Sequence, residues 1–78
     1  MNVTVTITPV SADQRPSDEG RVLVTVRRTD GIVLASREVK DGRGLIARAD
    51  AFLHIHGVYR LGFEAKDGAL VATAAKVG

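Results

Sequence analysis

Residues 40–65, KDGRGLIARADAFLHIHGVYRLGFEA, carry the strongest structural signals in this chain of 78 residues. Asp41-Gly42 predicts a tight turn, because glycine accepts a positive φ angle without steric cost. A second turn is predicted at Gly57. From Val58 onward the residues alternate with the period of two that is typical of a half-buried strand. The side chains that this alternation turns towards the core are Tyr59, Leu61 and Phe63.

Two stretches outside this segment alternate in the same way. Residues 3–8 place valine or isoleucine between threonines, and residues 21–28 place a valine at every second position. Residues 11–20 contain no large apolar side chain and predict a loop. The whole predicted core consists of Val3, Val5, Ile7, Val22, Val24, Val26, Leu34, Tyr59, Leu61, Phe63 and Val71. The apolar positions expected on outward faces are Leu23, Val33 and Val39.

Asp-Gly turns join the predicted strands into hairpins. Thr29-Asp30-Gly31 and Lys66-Asp67-Gly68 each predict a three-residue loop with its glycine in the left-handed conformation. The strand pairs that follow from these loops are Val26 with Leu34, Val24 with Ser36, Phe63 with Val71 and Leu61 with Thr73. A two-residue loop at Asp30-Gly31 would pair Val24 with Arg37 instead. We favour the three-residue loops, because they match the apolar pattern.

Residues 45–56 fit two conformations. Leu45, Ala49, Phe52 and Leu53 also form one stripe of a helix of about three turns. We predict extended structure here, with the helix as the alternative. The fold class expected for residues 1–78 is then a single all-β domain, an antiparallel sandwich or half-barrel, of which we favour the small β-sandwich.

Composition argues against several classes of function. The net charge is +2, but the arginines are scattered and the chain has only two phenylalanines, one tyrosine and no tryptophan, which disfavours nucleic-acid binding. The absence of cysteine excludes a thiolate metal site and a cysteine nucleophile. No apolar run is long enough to cross a membrane and no secretory leader is recognisable, so we expect a cytoplasmic protein without membrane contact.

The two histidines are the sharpest candidates for chemistry. On an extended chain, His54 and His56 would lie on the same side, within reach of one metal ion, and Asp50 or Glu64 would supply a third ligand. Two exposed histidines beside a glycine turn are the alternative. Because two ligands do not make a site, we predict neither a metal nor a cofactor. Arg43 on its tight turn could bind a carboxylate or carbonyl oxygen through two hydrogen bonds.

The order of these motifs resembles the transthyretin-like family, which includes 5-hydroxyisourate hydrolase. The segment from Asp41-Gly42-Arg43 to Gly57-Val58-Tyr59 is similar to the middle of that family, and Gln14-Arg15-Pro16 with the following strand is similar to its first turn and second strand. The resemblance covers roughly residues 3–65. It implies a prealbumin-like sandwich, commonly a homotetramer with a ligand channel, and it implies a catalytic role for Arg43.

The chain departs from the hydrolases at their other catalytic positions. Ile7-Thr8 stands where the first strand of the family carries a histidine, and the C-terminal Tyr-Arg-Gly-Ser is absent. We therefore expect a non-enzymatic module that binds a small-molecule or protein ligand and associates with itself. The alternative is a diverged hydrolase that opens a cyclic amide with Arg43, His54 and His56 as catalytic residues. A shared pocket for the arginine and an imidazole would favour the enzyme.

Overall fold

Six strands and one helix are found in the part of the chain that our computed structural model describes, residues 1–10 and 20–77. Their bounds are β1 Asn2–Pro9, β2 Arg21–Arg28, β3 Val33–Lys40, α1 Leu45–Ile55, β4 Val58–Arg60, β5 Glu64–Lys66 and β6 Ala69–Lys76. The predicted loop at 11–20, including Gln14-Arg15-Pro16, lies outside the described residues apart from Gly20.

The described strands form one curled antiparallel sheet in the order β3-β2-β1-β6-β4, with β5 also paired to β6. The prediction of a mainly antiparallel β fold is confirmed. Helix α1 connects the two edge strands, β3 and β4, and contacts both. A helix therefore packs on the sheet where the sandwich prediction placed a second layer of strands.

The core lies between the inner face of the sheet and α1. The predicted inward residues of β1 and β2 are all buried, as shown by Val3, Val5, Ile7, Val22, Val24 and Val26. Burying one such side chain stabilises the fold by about 1.5–3 kcal/mol. Ala72 and Ala74 of β6 complete this face and belong to the same core cluster as the buried residues of α1.

The prediction of extended structure at residues 45–56 is wrong, because α1 occupies them. Gly44 precedes the helix with a φ angle of 84°, and Gly57 follows it with a φ angle of 70°. The buried helix residues are Ala49, Phe52 and Leu53, which share one face at the i, i+3, i+4 spacing. Packing of this apolar stripe against the sheet decides between the two conformations that the sequence allows.

Strand β4 turns towards the core the opposite face from the one predicted. Val58 is fully buried, whereas Tyr59 is 53% and Leu61 95% exposed, so their assignment to the core is wrong. Arg60 turns inward with Val58, because Asp50 on α1 accepts hydrogen bonds from its guanidinium. Phe63 is partly buried against the core. The inward arginine depends on a partner ten residues away, which the alternation itself does not reveal.

The first hairpin contains both registers that the sequence offered, separated by a bulge. Val24 pairs with Arg37, the register of the two-residue loop, but beyond the bulge Arg27 pairs with Val33. The extra residue is Leu34, which is 37% exposed, so its placement in the core and its pairing with Val26 are wrong. A bulge of this kind leaves one residue unpaired.

The pairing register of the second hairpin also changes by one residue along its length. Arg60 pairs with Ala74 in the predicted register, but Glu64 pairs with Val71 beyond the interruption, so the predicted pairing of Phe63 with Val71 is wrong. Val71 alternates with the buried Ala72 and is only partly buried, so its placement in the core is wrong. Asp67 and Gly68 have φ angles of 50° and 78°, as a two-residue Asp-Gly hairpin turn requires.

Candidate functional site

Arg43 lies on the exposed turn between β3 and α1. Its backbone carbonyl accepts a hydrogen bond of 2.8 Å from Nη1 of Arg48, one turn into the helix. The two arginines therefore concentrate positive charge near the start of α1.

His54 and His56 lie at the other end of the helix, and each packs on a different aromatic ring. His54 stacks on Tyr59 with ring centroids 5.1 Å apart, and His56 meets the edge of Phe52 at 4.9 Å. Residues two apart near the end of a helix point in different directions, so the prediction that both imidazoles lie on the same side is wrong. The described residues contain no group of three histidine or acidic side chains that could hold a metal ion.

The length of α1 separates the three proposed catalytic residues into two places. The helix has 11 residues, which corresponds to about 16 Å. Arg43 precedes it, whereas His54 and His56 are at its end. The structure therefore does not bring the arginine and the imidazoles into one pocket.

Asp50 fixes the helix to β4 through Arg60. The guanidinium donates from Nε to Oδ1 at 2.7 Å and from Nη2 to Oδ2 at 2.8 Å. The same group lies 4.8 Å from the ring centroid of Phe63. This paired geometry is the strong form of an arginine–carboxylate contact. Asp50 thus orients α1, and both of its carboxylate oxygens are engaged by Arg60.

A surface without charged side chains covers the part of the outer face that β1, β6 and β4 form. The outward residues of β1, β6 and β4, together with the residue that follows β4, form it; we call them the outer strip, which consists of Asn2, Thr4, Thr6, Thr8, Tyr59, Leu61, Val71, Thr73 and Ala75. Charged residues lie beside it, with Arg27 opposite Thr4 on β2 and Glu64 opposite Val71 on β5.

Leu61 projects from the outer strip between two hollows. On one side, a depression of about 170 Å³ is lined by residues that include Tyr59 and Ala75. On the other side, a wider hollow of about 480 Å³ is lined by residues that include Phe63, Val71 and the charged Glu64. Leu61 borders both. The outer strip therefore carries an exposed apolar side chain, Leu61, and hollows into which the same side chain of another molecule could fit.

A groove runs between the edge strand β3 and helix α1 on another part of the molecule. Its volume is about 350 Å³, and its apolar lining consists of Val39, Ala51, Phe52 and Ile55. Val39, expected on an outward face, is 8% exposed and Phe52 is 5% exposed, whereas Ile55 is 73% exposed. The groove thus has a buried apolar floor and one raised apolar side.

Basic side chains surround this groove. Arg37, Lys40 and Arg48 line it, and Glu38 is the acidic residue among its lining. Neither Arg37 nor Arg48 forms an ion pair within residues 1–10 and 20–77. The groove is therefore apolar at its floor and positive around its rim.

Comparisons of this chain with models of protein families, with curated proteins and with solved structures give no match. The helix in the described residues has neither the length nor the apolarity of a membrane span. The outer strip and the groove are the two candidate functional surfaces. Sequence reasoning missed both surfaces, although the run of alternating threonines in β1 is a signal of an uncharged outward face.

Proposed function

We propose that this chain is a non-enzymatic binding module that acts as a homo-oligomer through its outer strip. The observation that carries the proposal is the 95% exposure of Leu61 at the β4 edge of the sheet, beside the uncharged outward residues of β4, β6 and β1. Contiguous exposed apolar surface marks an interaction site in many soluble proteins. A second copy of the chain is the occupant that fits the strip.

Self-complementarity favours a second copy over a different protein. In a two-fold dimer the same patch meets itself, so each projection needs a hollow on the same patch. Leu61 and the hollow of about 480 Å³ beside it satisfy this condition. Like charges would face each other if a charged patch met itself, and the uncharged strip avoids that repulsion.

The resemblance to the transthyretin-like family supports the same role by analogy. Its members commonly bind ligands as homo-oligomers, and we propose a prealbumin-like relationship and a cytoplasmic location with it. The separation of Arg43 from both imidazoles by α1 favours the binder over the hydrolase. The hydrolase alternative remains a prediction with its own test.

Replacing Leu61 by aspartate tests the proposal. Because the change puts a charge into the centre of a contact that must exclude water, Leu61→Asp should turn the oligomer into a monomer. Sedimentation velocity over about a hundredfold range of micromolar concentrations measures this. The matched control is Ile55→Asp, which places the same charge on an exposed apolar position of α1 and should leave the oligomer intact. A wild-type chain that sediments as a monomer throughout would refute the proposal.

A further inference from the structure

We propose that the groove between β3 and α1 binds an extended acidic segment of a partner protein by strand addition. The proposal rests on the role of the chain as a binding module, but not on its self-association. The groove lies at the β3 edge and the outer strip lies on the outer face of β1, β4 and β6, so the two contacts use different surfaces.

The backbone of β3 provides the first element of recognition. Among the described strands, β3 lies at one end of the sheet and pairs with β2 alone. An edge strand presents main-chain donors and acceptors along its open side, and an extended peptide can pair with them. The eight residues of β3 span about 26 Å, which is enough for a peptide of similar length.

The side chains of α1 provide the second element. A peptide strand beside β3 continues the sheet, so every second side chain points to the inner face. There the floor of Val39 and Phe52 and the raised side of Ile55 offer an apolar pocket. In strand addition the main chain supplies affinity, and such pockets for alternate side chains supply specificity.

The rim charges select the kind of peptide. Arg37 and Arg48 have no carboxylate partner within the described residues. Carboxylates of a bound segment can form charge-assisted hydrogen bonds with these arginines. A second copy of the chain fits less well here, because antiparallel pairing of β3 with itself would bring two positively charged rims together. An acidic segment with alternating apolar residues is therefore the expected ligand.

Fluorescence anisotropy with two synthetic peptides tests this inference. The probe is a fluorescein-labelled nine-residue peptide of alternating valine and glutamate, and its control replaces each glutamate by lysine. The acidic peptide should bind saturably and more weakly as salt is added, because salt screens the rim charges. Amide hydrogen exchange along Val33–Lys40 should slow when it binds. Equal binding of both peptides, or no binding, would overturn the proposal.

Two substitutions locate the binding surface. Ile55→Asp places a negative charge on the apolar side, and Arg37→Glu reverses a rim charge; each should weaken binding of the acidic peptide about tenfold or more. Lys66→Glu, the same kind of reversal on exposed β5, should not weaken it to that extent. If all three variants bind alike, the groove is not the site.

Sedimentation of the same samples separates this inference from self-association. Leu61→Asp should still bind the acidic peptide, and Ile55→Asp should still oligomerise. A monomeric wild type that binds the peptide would refute the outer-strip proposal alone. A wild type that oligomerises but does not bind the acidic peptide would refute only the groove proposal. Loss of peptide binding in Leu61→Asp, with its fold intact by circular dichroism, would contradict the separation of the two surfaces.

Discussion

Arg60 is the residue that couples the helix to the sheet. Its side chain is 19% exposed and that of Asp50 is 28% exposed, so both charges are largely withdrawn from water. Such a pair contributes modestly as a unit, but loss of one partner leaves the other desolvated without compensation. The inward turn of Arg60 sets the face of β4 and sends Tyr59 and Leu61 to the outer strip.

Asp50→Ala should therefore lower the free energy of unfolding by about 1–3 kcal/mol, the usual cost of leaving a hydrogen-bonded charge without its partner. Urea denaturation of Asp50→Ala, Arg60→Ala and the double variant measures the coupling. The control pair is Arg28 and Asp30, which are 44% and 45% exposed and should couple by about 0–1 kcal/mol. Equal couplings for the two pairs would contradict the role given to Arg60.

Helix α1 is the element that closes the core. Leu53 is fully buried in it, whereas Leu61 in the segment after β4 is 95% exposed. The two leucines allow a comparison at constant chemistry, since truncation to alanine removes the same atoms from a packed and an unpacked site.

Leu53→Ala should destabilise the chain by about 2–5 kcal/mol, the range for emptying a packed leucine site. Leu61→Ala should stay within about 0.5 kcal/mol of wild type, as exposed substitutions do. Thermal and urea unfolding below the concentration of self-association measures both, so that loss of an oligomer does not count as loss of fold. Strong destabilisation by Leu61→Ala in the monomer would show that β4 turns its other face inward.

Local pattern predicts elements whose two faces differ in polarity along their whole length. β1 and β2 are of this kind, and their inward valines were predicted from sequence. Local pattern does not predict a conformation that depends on residues distant in the sequence. The inward turn of Arg60 depends on Asp50, and the helix at 45–55 depends on the sheet beneath Phe52. Leu34 shows a third limit, because a bulge moves a residue outward without changing the alternation.

The candidate site was less predictable than the fold. Arg43, His54 and His56 were chosen by residue type, but their relation depends on whether 45–56 is extended or helical. An extended segment would turn both imidazoles the same way, while the helix points them apart. The groove and the outer strip arise only when α1, β3 and the outer face of the sheet are assembled. Taken one at a time, the residues of these two surfaces are of ordinary types for a protein surface.

At the scale of the whole molecule, the two proposed surfaces are compatible with one assembly. The outer strip belongs to β1, β6 and β4, whereas the groove lies between β3 and α1, so contact through the outer strip leaves the groove outside the interface. An oligomer would then present one groove for each copy. Linked binding sites raise the overall strength of attachment to a partner that carries repeated segments.

Ring opening by the whole molecule would require groups from both ends of α1. Opening of a cyclic amide by water requires a general base within hydrogen-bond reach of the attacking water, directly or through one further water. Arg43 would bind the ring at the start of α1, but His54 and His56 lie about 16 Å away along the helix. We expect no turnover of a hydroxyisourate-like ring by the wild type, followed by ultraviolet absorbance against a protein-free control. Turnover that disappears in both Arg43→Ala and His56→Ala, with each variant folded, would reverse this conclusion, because it would require the two ends of α1 to meet in one active site. Oligomerisation could bring them together only between copies, and the monomeric Leu61→Asp variant would then lose the activity as well.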